Sequence, residues 1–139
     1  MSAKTILAVD DEAHILHVVS LKLSNAGFKV LTANDAEEAL ETAAAGPIDL
    51  LITDFQMPGM SGLDLARKIH GEPGRKHLPT VLLTAHGLSL EQVDLAHAGI
   101  HACLSKPFSP RNLLEKVNEM LDARERTLET AGSSQSATN

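Results

Sequence analysis

The 139-residue chain has no Trp and no Tyr, so it offers no tryptophan signal to follow in solution. Its one cysteine, Cys103, cannot close an internal disulfide or by itself build a zinc site, which fits a reducing compartment. Basic charge is short as well. With 12 Lys plus Arg against 18 Asp plus Glu and a formal net charge of −6, the chain lacks the field that phosphate backbones require, which argues against direct nucleic-acid binding. No apolar run approaches the roughly 20 residues of a membrane span. The N-terminus runs from Met-Ser-Ala-Lys into the short apolar stretch Thr5 to Val9, too short for the core of a signal peptide. A cytoplasmic location, without membrane contact, is expected. What is present, 43% hydrophobic and 22% charged positions, describes one ordinary domain with no room for a second of usual size.

Short apolar runs at Thr5 to Val9, Asp49 to Thr53, Thr80 to Thr84 and Ala102 to Leu104 predict strands. Leu50-Leu51-Ile52 and Val81-Leu82-Leu83 are continuous rather than alternating, as parallel strands covered on both faces require. Phe28 to Thr32 is half polar, with Lys29 in it, and reads as a sheet edge. Between these runs the apolar residues recur at helical spacing: Ile15, Val19 and Leu23; Ala36, Ala39, Leu40, Ala43 and Ala44; Leu114, Val117 and Leu121.

The punctuation agrees with that alternation. Gly27, Gly46, Gly71 and Gly99 each follow a candidate helix, where a left-handed cap favours a residue without Cβ. Helix starts are marked by Asn34 with Glu37, by Ser89 with Gln92 and a Leu88/Val93 staple, and by Ser109-Pro110. Glu72 to His77 reads as an exposed loop. The repeated strand-helix unit, about 20 to 30 residues long, predicts an α/β doubly wound fold: an open five-stranded parallel sheet with five helices covering both faces. The domain is expected over residues 1–128, followed by a polar, disordered C-terminal tail at 129–139.

Ligands of open parallel sheets bind beyond the carboxyl ends of the strands. There the first strand ends in Asp10-Asp11, the third in Asp54 and the fourth in Thr84, while Lys106-Pro107 follows the fifth. Each has a plain structural reading by itself. Asp10-Asp11 could cap a helix, Asp54 could form a turn before Pro58-Gly59, and Lys106 could be solvated surface. Their coincidence at one sheet edge favours a shared site. Clustered carboxylates stay ionised only beside a cation, and an all-oxygen set without His or Cys suits Mg²⁺, with Mn²⁺ as the alternative ion. A carboxylate is also a competent nucleophile for phosphoryl groups, whose oxygens a metal, Lys106 and the Thr84 hydroxyl would neutralise.

At these positions the sequence resembles the receiver domain of two-component response regulators. The resemblance rests on ILAVDDE (Ile6 to Glu12), LLITDFQMPGMSGLDL (Leu50 to Leu65), TVLLTA (Thr80 to Ala85) and KPF (Lys106 to Phe108), and it spans Lys4 to about Arg124. It implies a flavodoxin-like receiver fold with strand order 2-1-3-4-5 and five helices, and that Asp54 is the phosphoacceptor for a bacterial histidine kinase or histidine phosphotransfer protein. It further implies that Asp11, Asp54 and the Gln56 main-chain carbonyl ligate Mg²⁺, with Asp10 acting through water. By the same resemblance Lys106 pairs with the phosphate, Thr84 swings toward it, Gln56 and His86 tune the phosphoryl lifetime, and the Lys106-Pro107 bond is a candidate for the cis isomer. One position departs from the family: Cys103 stands where many receivers carry the Tyr or Phe that moves with the Thr, so the switch is expected in the fourth predicted helix and the loop before it. Cys103 itself reads as a small buried strand residue.

The resemblance implies a signalling domain rather than a metabolic enzyme. Its output surface would be the fourth predicted helix, fifth strand and fifth helix, about Leu88 to Leu121, acting on a protein target that the sequence leaves unknown, as a monomer or weak dimer. Met1 just before the first strand and the polar C-terminus favour a stand-alone regulator, the alternative being a receiver from a larger hybrid kinase or regulator. A haloacid-dehalogenase-like phosphohydrolase would need a second Asp two residues after the nucleophile, where this chain has Gln56. A flavin module would set its phosphate against Asp10 and Asp11.

Overall fold

The structure, a computed structural model, describes residues 3–85 and 99–138, with side chains described through Arg124. Five strands, β1 (Thr5–Val9), β2 (Lys29–Ala33), β3 (Leu50–Asp54), β4 (Thr80–Thr84) and β5 (Ala102–Ser105), form one parallel sheet in the order β2-β1-β3-β4-β5. Helices α1 (Ala13–Asn25), α2 (Ala36–Ala45) and α3 (Gly62–His70) follow the first three strands, and a C-terminal helix runs over Pro110–Thr138. Four of the five expected helices are thus seen. The predicted fourth helix, with Ser89, Gln92, Leu88 and Val93 at its start, lies outside the described residues. The C-terminal helix span takes in most of 129–139, the segment expected as a tail.

Period-two alternation in buried strands feeds two cores, one on each sheet face. Ile6, Ala8, Leu50, Ile52, Val81 and Leu83 meet Leu16, Val19 and Leu23 of α1 and Leu113, Val117 and Leu121 of the C-terminal helix. Leu7, Val9 and Leu51 meet Ala36, Ala39 and Ala43 of α2 and Leu65, Ala66 and Ile69 of α3. Each fully buried Leu, Ile or Val contributes roughly 1.5–3 kcal/mol, so the strands are held against two layers at once. Small alanines on α2 let that helix lie close to the sheet.

Several local expectations need correction. Residues β2 and β3 begin with are each one later than expected, so Asp54 is the last strand residue of β3 rather than the first beyond it. The cap of α2 is Asp35, not Asn34: its carboxylate accepts from the Glu38 N–H at 2.8 Å, while the Glu38 side chain accepts from the Asn34 N–H at 3.3 Å. Gly27 (φ +100°) and Gly99 (φ +73°) take the left-handed conformation, but Gly46 is extended and Gly71 right-handed. In place of a glycine cap, the Arg75 guanidinium reaches from the Glu72 to His77 loop to the carbonyls of Ala43 and Gly46 at the α2 C-terminus, where a cation is favoured. Ala44 is exposed, and Leu113 rather than Leu114 joins Val117 as a fully buried residue of the C-terminal helix. Cys103 is exposed, because the β5 edge strand turns alternate side chains outward. The Ser109-Pro110 start is as expected, with the Asn112 N–H donating to the Ser109 hydroxyl at 3.3 Å.

Candidate functional site

Strand register alone brings the chemistry together. Val9 pairs with Thr53, so Asp10 and Asp54, each one residue further, emerge side by side; Asp54 pairs with Leu83, and Thr84 pairs with Ser105, the residue before Lys106. Backbone bonds extend the ladder past the strand ends: Phe55 N–H to the Leu83 carbonyl at 2.8 Å and Lys106 N–H to the Thr84 carbonyl at 2.7 Å. The Lys106-Pro107 peptide is cis.

The Lys106 ammonium is the hub. It lies 2.8 Å from Asp10 Oδ2, 3.2 Å from Asp54 Oδ1 and 3.2 Å from Glu12 Oε1. Asp10 is 1% exposed and Asp54 5%, whereas Asp11 and Glu12 stand at the exposed rim. Asp10 Oδ1 accepts from the Glu12 N–H at 2.9 Å. Its Oδ2 keeps the ammonium at ion-pair distance but receives no hydrogen bond of good angle, so a buried carboxylate oxygen retains accepting capacity.

The charge balance sets the titration. Burial raises the Asp54 carboxyl, the Asp10 charge raises it further, and Asp11 adds to this; the hydrogen bond and charge of Lys106 work the other way, and the result is a pKa of about 6. For Lys106, burial works against the charged form, but its close ion pairs with Asp10 and Asp54 outweigh it and hold the ammonium above its usual range. Three carboxylates, Asp10, Glu12 and Asp54, contact one ammonium with Asp11 close by at the rim, and an additional hard cation would relieve the excess. The side-chain oxygens of Asp10, Asp11 and Glu12 lie within 4.8 Å of one another.

The loop after Asp54 is pinned from below. Ser61 caps α3 by accepting from the Asp64 N–H at 3.2 Å, and the Gly62 N–H donates to the Phe55 carbonyl at 2.8 Å. A Cβ on Gly62 would fall inside contact distance of the Asp54 carbonyl oxygen, so only glycine lets α3 start this close to the acceptor strand. Gly59 takes φ +84° in the Pro58-Gly59 turn, and Met57 and Met60, partly buried, pack against the α2/α3 core.

Thr84, 2% exposed, has its hydroxyl 3.5 Å from the Leu104 carbonyl, and the Cys103 sulfur is 3.9 Å from the same hydroxyl. Threonine and cysteine are therefore neighbours across the β4/β5 pair. Of the residues expected from sequence, Asp10, Asp54 and Lys106 converge tightly, Asp11 stands at the rim, and Gln56 is exposed in the following loop. His86 lies outside the described residues. Glu12 was missed. It sits at the N-cap position of α1 yet makes no capping hydrogen bond, its carboxylate being turned to Lys106 instead. A third consecutive acid after Asp10-Asp11 was the available signal.

A family model described as response regulator receiver domain matches residues 6–118. Among curated proteins, the chemotaxis protein CheY of Pseudomonas aeruginosa is 34% identical over 118 residues, covering 84% of this chain and 95% of that protein. The phosphate regulon transcriptional regulatory protein PhoB of the same species is 34% identical over 121 residues, 87% of this chain but only 53% of its own length, so the chain spans about half of that relative. A CheY-like receiver domain protein from Methanospirillum hungatei superposes with a TM-score of 0.83 at 35% identity, covering 91% of this chain and 99% of that one. Chemotaxis protein CheY4 of Vibrio cholerae gives 0.81 at 32% identity, with 86% and 99% covered.

Proposed function

The chain belongs to the receiver domain family of two-component response regulators, and from that premise we propose that it is a phosphorylation-dependent switch whose acceptor is Asp54. The observation that carries this reading is the placement of Asp54: buried at the end of the central strand, 3.2 Å from the Lys106 ammonium and raised to a pKa of about 6, it remains an ionised nucleophile at neutral pH. Its oxygen attacks phosphorus of a phosphohistidine on a histidine kinase or histidine phosphotransfer protein. The O–P bond forms as the N–P bond breaks, and the departing imidazole takes up a proton. Lys106 moves from carboxylate to phosphoryl oxygens, and the Thr84 hydroxyl turns from β5 toward them.

Mg²⁺, or Mn²⁺ in its place, fits the donors present, because the set is all oxygen and the buried Asp10 Oδ2 has accepting capacity left. Asp11, Asp54 and the Gln56 main-chain carbonyl would hold the ion, with Asp10 through water; when bound it supplies neutralisation of phosphoryl charge. Cytoplasmic action is part of the same reading, and no helix among the described residues is long and apolar enough to cross a membrane.

With Cys103 beside Thr84 in place of an aromatic ring, the switch runs through the segment after Thr84 and reaches a partner protein by way of about Leu88 to Leu121, the chain acting as a monomer or weak dimer. Two-dimensional NMR with and without beryllofluoride and Mg²⁺ tests this. The expected result is shifts at Asp10, Asp54 and Lys106 together with large shifts from Thr84 to Gly99; unchanged resonances over Thr84 to Gly99 contradict the proposed route.

A further inference from the structure

At the opposite end of the sheet from Asp54, the loop before β4, the residue before β5 and the C-terminal helix enclose a cleft of about 820 Å³. That volume is in the range of small-molecule sites, roughly 300–1,000 Å³. Its walls combine an apolar floor, Pro79, Met120 and Ala123, with Lys76, Lys116 and Arg124, and Glu119 is the one acid among the lining residues. In a chain of net charge −6 this is a local reversal of sign.

The cationic groups retain donors. Among the described residues Arg124 gives one N–H, to the Asp49 carbonyl at 2.8 Å, of the five donors a guanidinium carries. Lys116 meets Glu119 at 3.3 Å with an ammonium that has three donors. Lys76 has no ion-pair partner among the described residues. His101, also in the lining, is held in one tautomer: its Nδ1 accepts from the Thr80 N–H at 3.2 Å, so Nε2 carries the proton and donates. Burial first, then His70 and His77, keep this ring below its ordinary pKa and therefore neutral at pH 7. An apolar floor bordered by N–H donors and positive charge is complementary to one chemical class.

We infer that this cleft binds a small organic anion with a flat apolar body, an aromatic carboxylate being the simplest member, at a site separate from the phosphoacceptor. The inference goes beyond the receiver reading and does not depend on phosphorylation. The cleft adjoins the N-terminal ends of β4 and β5, the strands whose other ends carry Thr84 and lead to Lys106.

The full unphosphorylated chain is titrated with 2-naphthoate and, separately, with 2-naphthylmethylammonium, a cation of nearly the same shape, while amide NMR shifts are followed. The inference predicts saturable shifts confined to Gly74–Pro79, His101 and Lys116–Arg124 with naphthoate, weakened by added salt, and none with the amine. Lys76→Glu and Lys116→Glu, both at solvent-reached positions, should each weaken naphthoate about tenfold, the effect of about 1.4 kcal/mol, with the remaining spectrum unchanged. No shifts at millimolar naphthoate, equal binding of the amine, or charge reversals without effect would overturn the inference. Shifts outside the cleft would overturn it equally.

Discussion

Replacing Asp54 by Asn should make the metal-free protein more stable at neutral pH, not less. Burial is the largest cause of the raised Asp54 pKa, followed by repulsion from Asp10, and Lys106 offsets only part of this. A folded-state value of about 6 against 3.8 means that ionising this carboxylate costs more in the folded than in the unfolded chain. The sign follows: its favourable contribution is complete below pH 3.8 and is lost as pH rises through about 6. The full shift corresponds to about 3 kcal/mol at 1.36 kcal/mol per unit. Water at the open mouth of the site screens part of that, so about 1–3 kcal/mol is expected. Asn keeps the shape and removes the charge, and Lys106 retains Asp10 and Glu12 as partners. Urea unfolding followed by circular dichroism, in chelator, should show the two proteins equal near pH 4 and Asp54→Asn ahead by that amount at pH 8. Added Mg²⁺ should narrow the gap by stabilising the wild type alone. A difference independent of pH, or a variant less stable at pH 8, would refute the electrostatic account.

Lys106→Ala leaves Asp10 buried without its counter-charge and should cost about 3–5 kcal/mol at pH 7, read as a lower urea midpoint that Mg²⁺ partly restores; a loss below about 1 kcal/mol would show that Asp10 is not dependent on the ammonium. Arg75→Ala removes the guanidinium from the α2 carbonyls and should cost about 1–3 kcal/mol, with hydrogen exchange accelerated first at Ala43 to Gly46. Gly62→Ala forces α3 off the Asp54 backbone; phosphorylation from acetyl phosphate should slow at least tenfold while the far-ultraviolet spectrum is kept, and an unchanged rate would show that this close approach does not position the acceptor.

Much of this architecture can be read from residue order, because continuous apolar runs such as Leu50-Leu51-Ile52 admit few environments other than a covered parallel strand. The site follows from topology once the strands are placed. Asp10, Asp54 and Lys106 need only a shared sheet edge to meet, and neighbouring registers do the rest. What resisted reading depends on distances between segments far apart in sequence. No local pattern reveals that Arg75 serves as the missing cap of α2, across a separation of 32 residues. Glu12 was passed over because the ammonium it faces is 94 residues away. Cys103 was expected inside, since a short strand of Ala, Cys and Leu gives no sign of which alternate face the sheet edge leaves open. The shift from Asn34 to Asp35 at the α2 cap is a choice between two adjacent residues of equal capping quality, which only the helix phase set by Ala36, Ala39 and Ala43 decides.

The most direct test of the central claim is intact mass after incubation with acetyl phosphate and Mg²⁺, run beside Asp54→Ala and a chelated sample. The account predicts a gain of one phosphoryl group in the wild type, removed by hydroxylamine as an acyl phosphate must be, and absent from the variant and the chelated sample. A phosphoryl group retained by Asp54→Ala, or one acquired equally in chelator, would contradict it.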